Sequence, residues 1–276
     1  MSVEIREHYE KMKELWILYG DYAVLLLVSL CYFIMDVTML PFQRQFSLDD
    51  LTISHPHAKH ERVPTMYLGL ITLPLPGLIL YGFGRFRKSP LLFWKSLMGL
   101  LYSTMISGLI VTVIKNTVGR PRPDFIARCD PLSSSPHTGL VDLHVCTTSW
   151  ESHTLQDGLR SFPSGHTAFS FAGLGYLSLI IASQLRMFRK KTSSWAIVMP
   201  ILPLMLATWI GISRNEDYRH HVEDIVVGGF LGMTIAYVCY RQTFPPLNDA
   251  LANIPYAQLE IDEGNLDSRR VVEEMV

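Results

Sequence analysis

The chain has 276 residues, 49% of them hydrophobic and 18% charged, where a soluble globular domain carries roughly 25% charged residues. A formal net charge of -1, with neither a basic stripe nor an RNA-type aromatic motif, excludes a nucleic-acid-binding module. Mean hydropathy of +0.21 implies apolar blocks diluted by sizeable polar loops, hence one all-α membrane domain rather than a soluble fold.

Residues 1–17 place Ile5, Tyr9, Met12 and Trp16 at helical spacing among charges. That segment reads equally as a helix lying on the cytosolic membrane surface or as a solvated helical extension. No charged-then-apolar pattern with a small-residue cleavage site is present, so Asp21 to Met39 is expected to stay as a first span. A transmembrane helix needs about 20 mostly apolar residues. Windows of that kind fall near 21–40, 64–84, 91–114, 165–184, 195–213 and 222–240, so residues 18–244 are expected to form a six-span membrane domain. Pro74 and Pro76 interrupt the second window, a break that neighbouring helices can accommodate in lipid. Arg85, Arg87 and Lys88 follow span two, and Arg186, Arg189, Lys190 and Lys191 follow span four. Both loops, and by parity both termini, are therefore expected in the cytosol. Segments 41–63, 115–164 and 213–221 then share the lumenal or extracytoplasmic side. Gly228, Gly229 and Gly232 form a small-residue face in span six suited to close helix contact. Residues 245–276 turn polar and acidic without an apolar period and read as a disordered cytosolic tail.

Ionisable groups beside membrane spans are energetically unfavourable, so their clustering is informative. Lys115 ends span three; Arg120, Pro121, Arg122 and Pro123 follow, the prolines stopping the helix and leaving the arginines at the surface. Span four opens with Pro163, Ser164, Gly165 and His166. A helix N-terminus presents unpaired N–H groups and partial positive charge, and a glycine lets an anion approach the backbone, so this is a phosphate cradle. Span five ends at Ser213 and Arg214, and span six is expected to begin around Tyr218 to His221. His220 and Asp224 then stand at i and i+4 on one helix face, where the carboxylate can orient the ring. Spacing leaves His221 as an alternative partner of Asp224. Parity places all four segment ends on one side of the membrane. It would gather Lys115, Arg122 and Arg214 as cations around His166 and His220 as proton carriers or nucleophiles. Such a set suits phosphoryl transfer, which depends chiefly on positioning and on stabilising charge spread over the equatorial oxygens; fixed cations can there replace magnesium.

Lys115 to Pro123 reads K-x6-R-P, Pro163 to His166 reads P-S-G-H, and Ser213 to Asp224 reads S-R-x5-H-x3-D. In that order they resemble the signature of the type 2 phosphatidic acid phosphatase superfamily, without departure at a signature position. The resemblance implies a six-helix membrane phosphatase with its active site at the lumenal helix ends. It assigns His220 rather than His221 as the nucleophile that becomes phosphohistidine, Asp224 as its orienter and His166 as the acid and base. Lys115, Arg122, Arg214 and the Ser164 and Gly165 backbone would bind phosphate, with no metal and no cofactor. Phe46 to Pro56, Asp217 to His221 and Phe244 to Leu247 further resemble the fungal diacylglycerol pyrophosphate phosphatase branch. That branch implies lipid phosphate substrates drawn from the bilayer: phosphatidate to diacylglycerol, diacylglycerol pyrophosphate to phosphatidate, and lysophosphatidate. It also favours the vacuolar membrane, with endoplasmic reticulum and Golgi as alternatives. A polyprenyl or sphingoid phosphate phosphatase of the same superfamily, or a non-catalytic lipid-binding relative, are the competing readings. An oriented His220 argues against the last.

His55, His57 and His60 match no standard metal-ligand spacing, and Pro56 breaks any regular face, so a lid or substrate-contact loop is expected there. Cys31 and Cys239 fall in spans and read as apolar residues. Cys129 and Cys146 share a lumenal loop, where oxidising conditions favour a disulfide that would contribute about 3 kcal/mol by loop closure. The oligomeric state has no signature in the chain.

Overall fold

The computed structural model describes residues 3–135, 138–189 and 193–263, with side chains from Tyr19 onward. Its helices in chain order are α1 (Val3–Thr38), α2 (Thr65–Thr72), α3 (Pro74–Phe86), α4 (Pro90–Val118), α5 (Phe125–Cys129), α6 (His153–Gly158), α7 (Gly165–Gln184), α8 (Trp195–Glu216) and α9 (Val222–Thr243). Among the described residues there is no strand, only isolated bridges Phe46–Val141 and Pro131–Cys146. Among the described residues six stretches are long and apolar enough to cross a membrane: Tyr19–Thr38, Thr65–Phe86, Pro90–Val118, Gly165–Gln184, Trp195–Glu216 and Val222–Thr243. These are the expected six spans, each shifted by a few residues at most. The second is broken at Leu73 between α2 and α3, just before Pro74, whose missing N–H favours a fresh helix start.

The bundle is organised around α7, which packs against α2, α3, α4, α8 and α9. Most of its residues are buried, whereas almost none of the first span's are, so α7 is the axis and α1 the least buried span. Close contact between α7 and α9 depends on glycine. A Cβ on Gly232 would run into the backbone of Ala168 and Ala172, and one on Gly228 into the backbone of Ser164. One apolar cluster, including Leu80, Leu100, Tyr176, Ile180 and Tyr240, fills the helical core. A second, of Phe46, Ile53, Phe125, Cys129, Val141, Leu155 and Leu159, lies outside the spans and binds loop 41–63 to loop 115–164. Cys129 and Cys146 are joined by a disulfide across this second cluster.

The N-terminal helix runs unbroken from Val3 into the first span; residues 1–2 of that segment lie outside the described residues. One segment differs from expectation. Residues 245–255, expected to be disordered, fold back onto the end of the bundle. Tyr240 Oη donates to the Pro245 carbonyl at 3.0 Å, and Gln184 Nε2 donates to the Asn253 carbonyl at 2.9 Å. The physical reason is that Phe244 and Leu247 continue the apolar core past the last span, and the Asn253 carbonyl accepts from the buried Gln184 amide at the end of α7. Residues 264–276 of the expected tail, like Lys190 and Lys191 of the basic loop, lie outside the described residues. Replacing Gly232 with Ala should lower the detergent unfolding temperature, since overpacking costs about 1–3 kcal/mol, while the same change at Gly82, with open space around it, should not.

Candidate active site

Helix α4 closes at Gly119, whose φ of 59° is left-handed and whose N–H returns to the Lys115 carbonyl at 3.2 Å. A side chain there would also strike the Phe42 carbonyl, so the stop is specified sterically. The chain then lays Arg120 and Arg122 across the helix ends. Arg122 N–H donates to the Gly158 carbonyl at 2.8 Å, and its Nη2 donates to Asp157 Oδ1 at 2.7 Å. Burial pushes the Arg122 pKa down to about 10 despite Asp157 beside it, so the guanidinium remains charged. Burial works to raise Asp157, but Arg122, Arg128 and Lys115 outweigh it and hold that carboxyl below the usual carboxylate range.

The start of α7 is capped by Ser164, whose Oγ accepts from Thr167 N–H. The Ser164 N–H itself donates to the Asp224 carbonyl at 2.9 Å, so this amide ties α7 to α9. Gly165 faces the cavity, where an added Cβ would stand 3.4 Å from Lys115 Cε. His166 Nε2 lies 3.1 Å from the Val63 carbonyl. A carbonyl can only accept, so the proton of this contact is on Nε2 and Nδ1 is the nitrogen left over.

The register around His220 differs from the expected helical i, i+4 pair. Helix α9 begins at Val222 with His221 as N-cap, and His220 belongs to the preceding turn, which Tyr218 enters at φ 55°. Asp224, third in the helix, accepts the His221 N–H at 3.0 Å, the geometry of a helix cap. Its Oδ2 lies 3.3 Å from His221 Nδ1 and 3.8 Å from His220 Nδ1, the latter just outside hydrogen-bonding distance. Yet His220 lines the cavity, is 2% exposed and has no hydrogen-bond partner for Nδ1 among the described residues, whereas His221 is not part of the lining. Burial first, and then the Lys115 charge, hold the His220 pKa well below its ordinary 6.5 against the opposing pull of Asp224. The ring is therefore neutral at neutral pH, the form with a free lone pair.

These elements meet at a cavity of about 440 Å³. Lys115, Arg122, Gly165, His166 and His220 line its polar end; Tyr32, Leu68, Gly108, Val111 and Phe169 line the end between α1, α2, α4 and α7. Ser164, Arg214 and Asp224 stand behind the wall. Arg214 is 1% exposed, with Nη1 on Glu61 Oε2 at 2.8 Å and Nη2 on Asp217 Oδ2 at 2.7 Å. Several participants were given no role from sequence. Arg120 Nη1 donates to Asp224 Oδ1 at 2.7 Å and Ser161 Oγ to Asp224 Oδ2 at 2.5 Å. Arg219 reaches Glu61 at 3.1 Å and Asp157 at 3.6 Å. A charged residue such as Arg120 beside a signature arginine was the one available signal; the loop carboxylates Glu61 and Asp157 carry none. In loop 41–63, His57 Nδ1 meets Asp124 Oδ2 at 2.6 Å and His55 stacks on Tyr218 at 4.4 Å, so two of its three histidines hold loops together. Among the described residues no group of three or more His, Cys, Asp or Glu is placed to hold a metal ion.

A family model described as the PAP2 superfamily matches residues 96–246, a stretch containing every residue named from the signature motifs. A probable diacylglycerol pyrophosphate phosphatase 1 of Schizosaccharomyces pombe is 63% identical over 253 residues, covering 92% of this chain and 91% of that protein. Diacylglycerol pyrophosphate phosphatase 1 of Saccharomyces cerevisiae is 40% identical over 216 residues, 76% of this chain and 74% of its own. Lipid phosphate phosphatase 2 of Arabidopsis thaliana is 35% identical over 241 residues, 87% and 82% respectively. No solved structure matches the chain.

Asp224 is fully buried and its main charge partner is Arg120. Arg120→Ala should therefore destabilise the protein toward the lower end of about 3–5 kcal/mol, Arg120 itself being partly exposed, whereas Arg120→Lys should recover part of that loss. Denaturation in detergent would read both.

Proposed function

Because the chain belongs to the PAP2 superfamily, we propose that it hydrolyses lipid phosphates through a covalent phosphohistidine on His220, without a metal ion or cofactor. The observation that carries this reading is the convergence of His220, His166, Lys115 and Arg122, from three separate sequence motifs, on the polar end of one cavity. The protein is an integral multi-pass membrane enzyme and its substrate comes from the bilayer. Diacylglycerol pyrophosphate is the substrate favoured by the names of two relatives and lipid phosphates by that of a third, and phosphatidate follows from the superfamily to which the chain belongs. The basic residues after spans two and four support a site on the lumenal side, with both termini cytosolic. Likeness to the fungal branch supports the vacuolar membrane.

Chemistry begins with the terminal phosphoryl group at the polar end, its oxygens on Lys115 Nζ, the Arg122 guanidinium and the Gly165 backbone. Arg214, fixed by Glu61 and Asp217, adds positive potential from behind the wall. Nδ1 of His220 faces Asp224, so Nε2 attacks phosphorus. A P–N bond forms, the P–O bond to the leaving lipid breaks, and the electron pair goes to the leaving oxygen, which takes a proton from His166 Nδ1, that nitrogen having first accepted it from the phosphate of the bound substrate while Nε2–H stays on the Val63 carbonyl. The positive ring so formed is stabilised by Asp224 once the 3.8 Å gap closes to a hydrogen bond. Water then attacks phosphorus, giving a proton back to His166 as the P–N bond breaks and inorganic phosphate leaves. The apolar end between α1, α2, α4 and α7 suits the lipid chains, and α1, the least buried span, is the side on which they can enter from the bilayer.

Phosphate release from both lipids in detergent with chelator should persist in the wild type and vanish in His220→Ala, and acid-labile label from a phosphate-labelled lipid should be trapped on His220. Loss of activity in chelator, or a fully active variant, would refute the mechanism. Leaving groups offer a further test. Diacylglycerol leaves as an alkoxide and needs a proton, while phosphatidate leaves as a stable phosphate anion. In single-turnover release of the lipid product, His166→Ala should slow phosphatidate cleavage by about 10²–10⁴-fold and pyrophosphate cleavage much less.

A further inference from the structure

The ion pairs around the site leave one arginine unaccounted for. Arg122, Arg128, Arg214 and Arg219 each hold a carboxylate, and so does Arg120. Arg160 lines the same cavity, and among the described residues it has no ion-pair partner. Its contacts are to neutral oxygens: Nε donates to Asn116 Oδ1 at 2.9 Å and Nη2 to the Met39 carbonyl at 2.7 Å. The Asn116 amide is fixed in turn, donating Nδ2 to the Thr112 carbonyl at 2.9 Å. Below it, the Arg160 carbonyl accepts from Lys115 Nζ at 2.5 Å. The guanidinium is thus held along one edge by uncharged acceptors, and no acceptor for Nη1 exists among the described residues. Of the two carboxylates that share the cavity, Asp157 is taken by Arg122, Arg128 and Arg219, and Asp36 forms no ion pair with Arg160 among the described residues; an anchored guanidinium without an ion-pair partner on a cavity wall is prepared for a phosphate, whose oxygens match its planar fork.

Its position says which phosphate. Lys115 and Arg122 stand with His220 at the reacting end. Arg160 hangs from Asn116 and from Met39, one residue beyond α1, and Asp36 and Tyr32 on the last turns of α1 line the lipid side of the cavity. Arg160 is therefore joined through its carbonyl to Lys115 at the reacting end and through its guanidinium to the end of α1, whose last turns form the wall facing the lipid chains. We propose that Arg160 is the subsite for the second phosphate of a diphosphate headgroup, the one that stays with the lipid, and so sets the preference for pyrophosphate over monophosphate lipids. It rests on the reading of diacylglycerol pyrophosphate as substrate.

The test compares kcat/KM for diacylglycerol pyrophosphate and phosphatidate in wild type, Arg160→Gln and Arg160→Lys, with unfolding temperature recorded for each. Arg160→Gln should lower the pyrophosphate value by about tenfold or more, chiefly through KM, and the phosphatidate value by less than about threefold; Arg160→Lys should lie between. Inorganic pyrophosphate should compete with phosphatidate better than orthophosphate does in the wild type, and that advantage should disappear in Arg160→Gln. An equal fall for both lipids, as a purely structural tie to Asn116 and Met39 would give, overturns the subsite. So does equal inhibition of the wild type by the two inorganic anions. A wild type that cleaves phosphatidate alone while still preferring inorganic pyrophosphate as inhibitor overturns the substrate reading and leaves the subsite standing.

Discussion

The carboxylate of Asp224 is the point on which the site depends. It is fully buried and accepts from Arg120, Ser161 and the His221 N–H, while its own carbonyl accepts from Ser164. Those partners come from the segment after α4, the approach to α7 and the cap of α9, so one residue fastens together all three motif-bearing regions. A buried carboxylate is tolerated only when fully paired, and this one is. Gly228 and Gly232 make the arrangement reachable, since any side chain at either would hold α9 away from α7 and Asp224 away from Ser164.

Around that node lies a chain of ion pairs that runs through the loops. Arg62 pairs with Asp217, Asp217 and Glu61 with Arg214, Glu61 with Arg219, Arg219 and Arg122 with Asp157, and Arg128 with both Asp157 and Asp124. Several members are almost entirely excluded from water, where isolated charges are untenable and alternation of sign is the remaining solution. The network orients Arg122 and Arg214 without leaving them mobile. It also explains why loop 41–63 belongs to the site although it carries no signature residue: Glu61 holds Arg214, and Val63 holds His166.

Sequence alone disclosed the spans and the motif residues, for different physical reasons. Hydropathy is summed over about 20 residues, so the six crossings survive errors of a few positions, and even the break at Leu73 was visible in Pro74 and Pro76. Lys115, Arg122, Gly165, His166 and His220 do meet at one cavity. What stayed hidden is long-range or depends on a single residue of register. Arg214 finds Glu61 and Arg62 finds Asp217 across more than a hundred residues of chain, and no local pattern encodes such pairs. His220 read as part of a helix because His221 is an uncommon N-cap; with Asp224 capping from the third position, the helix begins two residues later and the His220 ring is presented from a turn. Beyond Pro245, polarity suggested disorder, but Phe244 and Leu247 supply the few apolar contacts that hold the segment down.

That turn has a chemical consequence. A histidine within the first turn of α9 would share the helix axis and lie against its neighbours, whereas His220, before the cap, projects into the space that the end of α4 and the start of α7 enclose. The displacement leaves Nδ1 at 3.8 Å from Asp224, with Oδ2 already engaged by Ser161 and His221. In the neutral resting ring that weak contact matters little. In the proposed reaction a phosphorus bonded to Nε2 would make the ring cationic, and its attraction to Asp224 would then grow in a medium of low dielectric. Interactions stronger in the reacting state than in the ground state are the ones that accelerate a reaction. A carboxylate saturated by Arg120, Ser161 and His221 at rest, yet close enough to answer a new positive charge, would provide that difference in the proposed reaction.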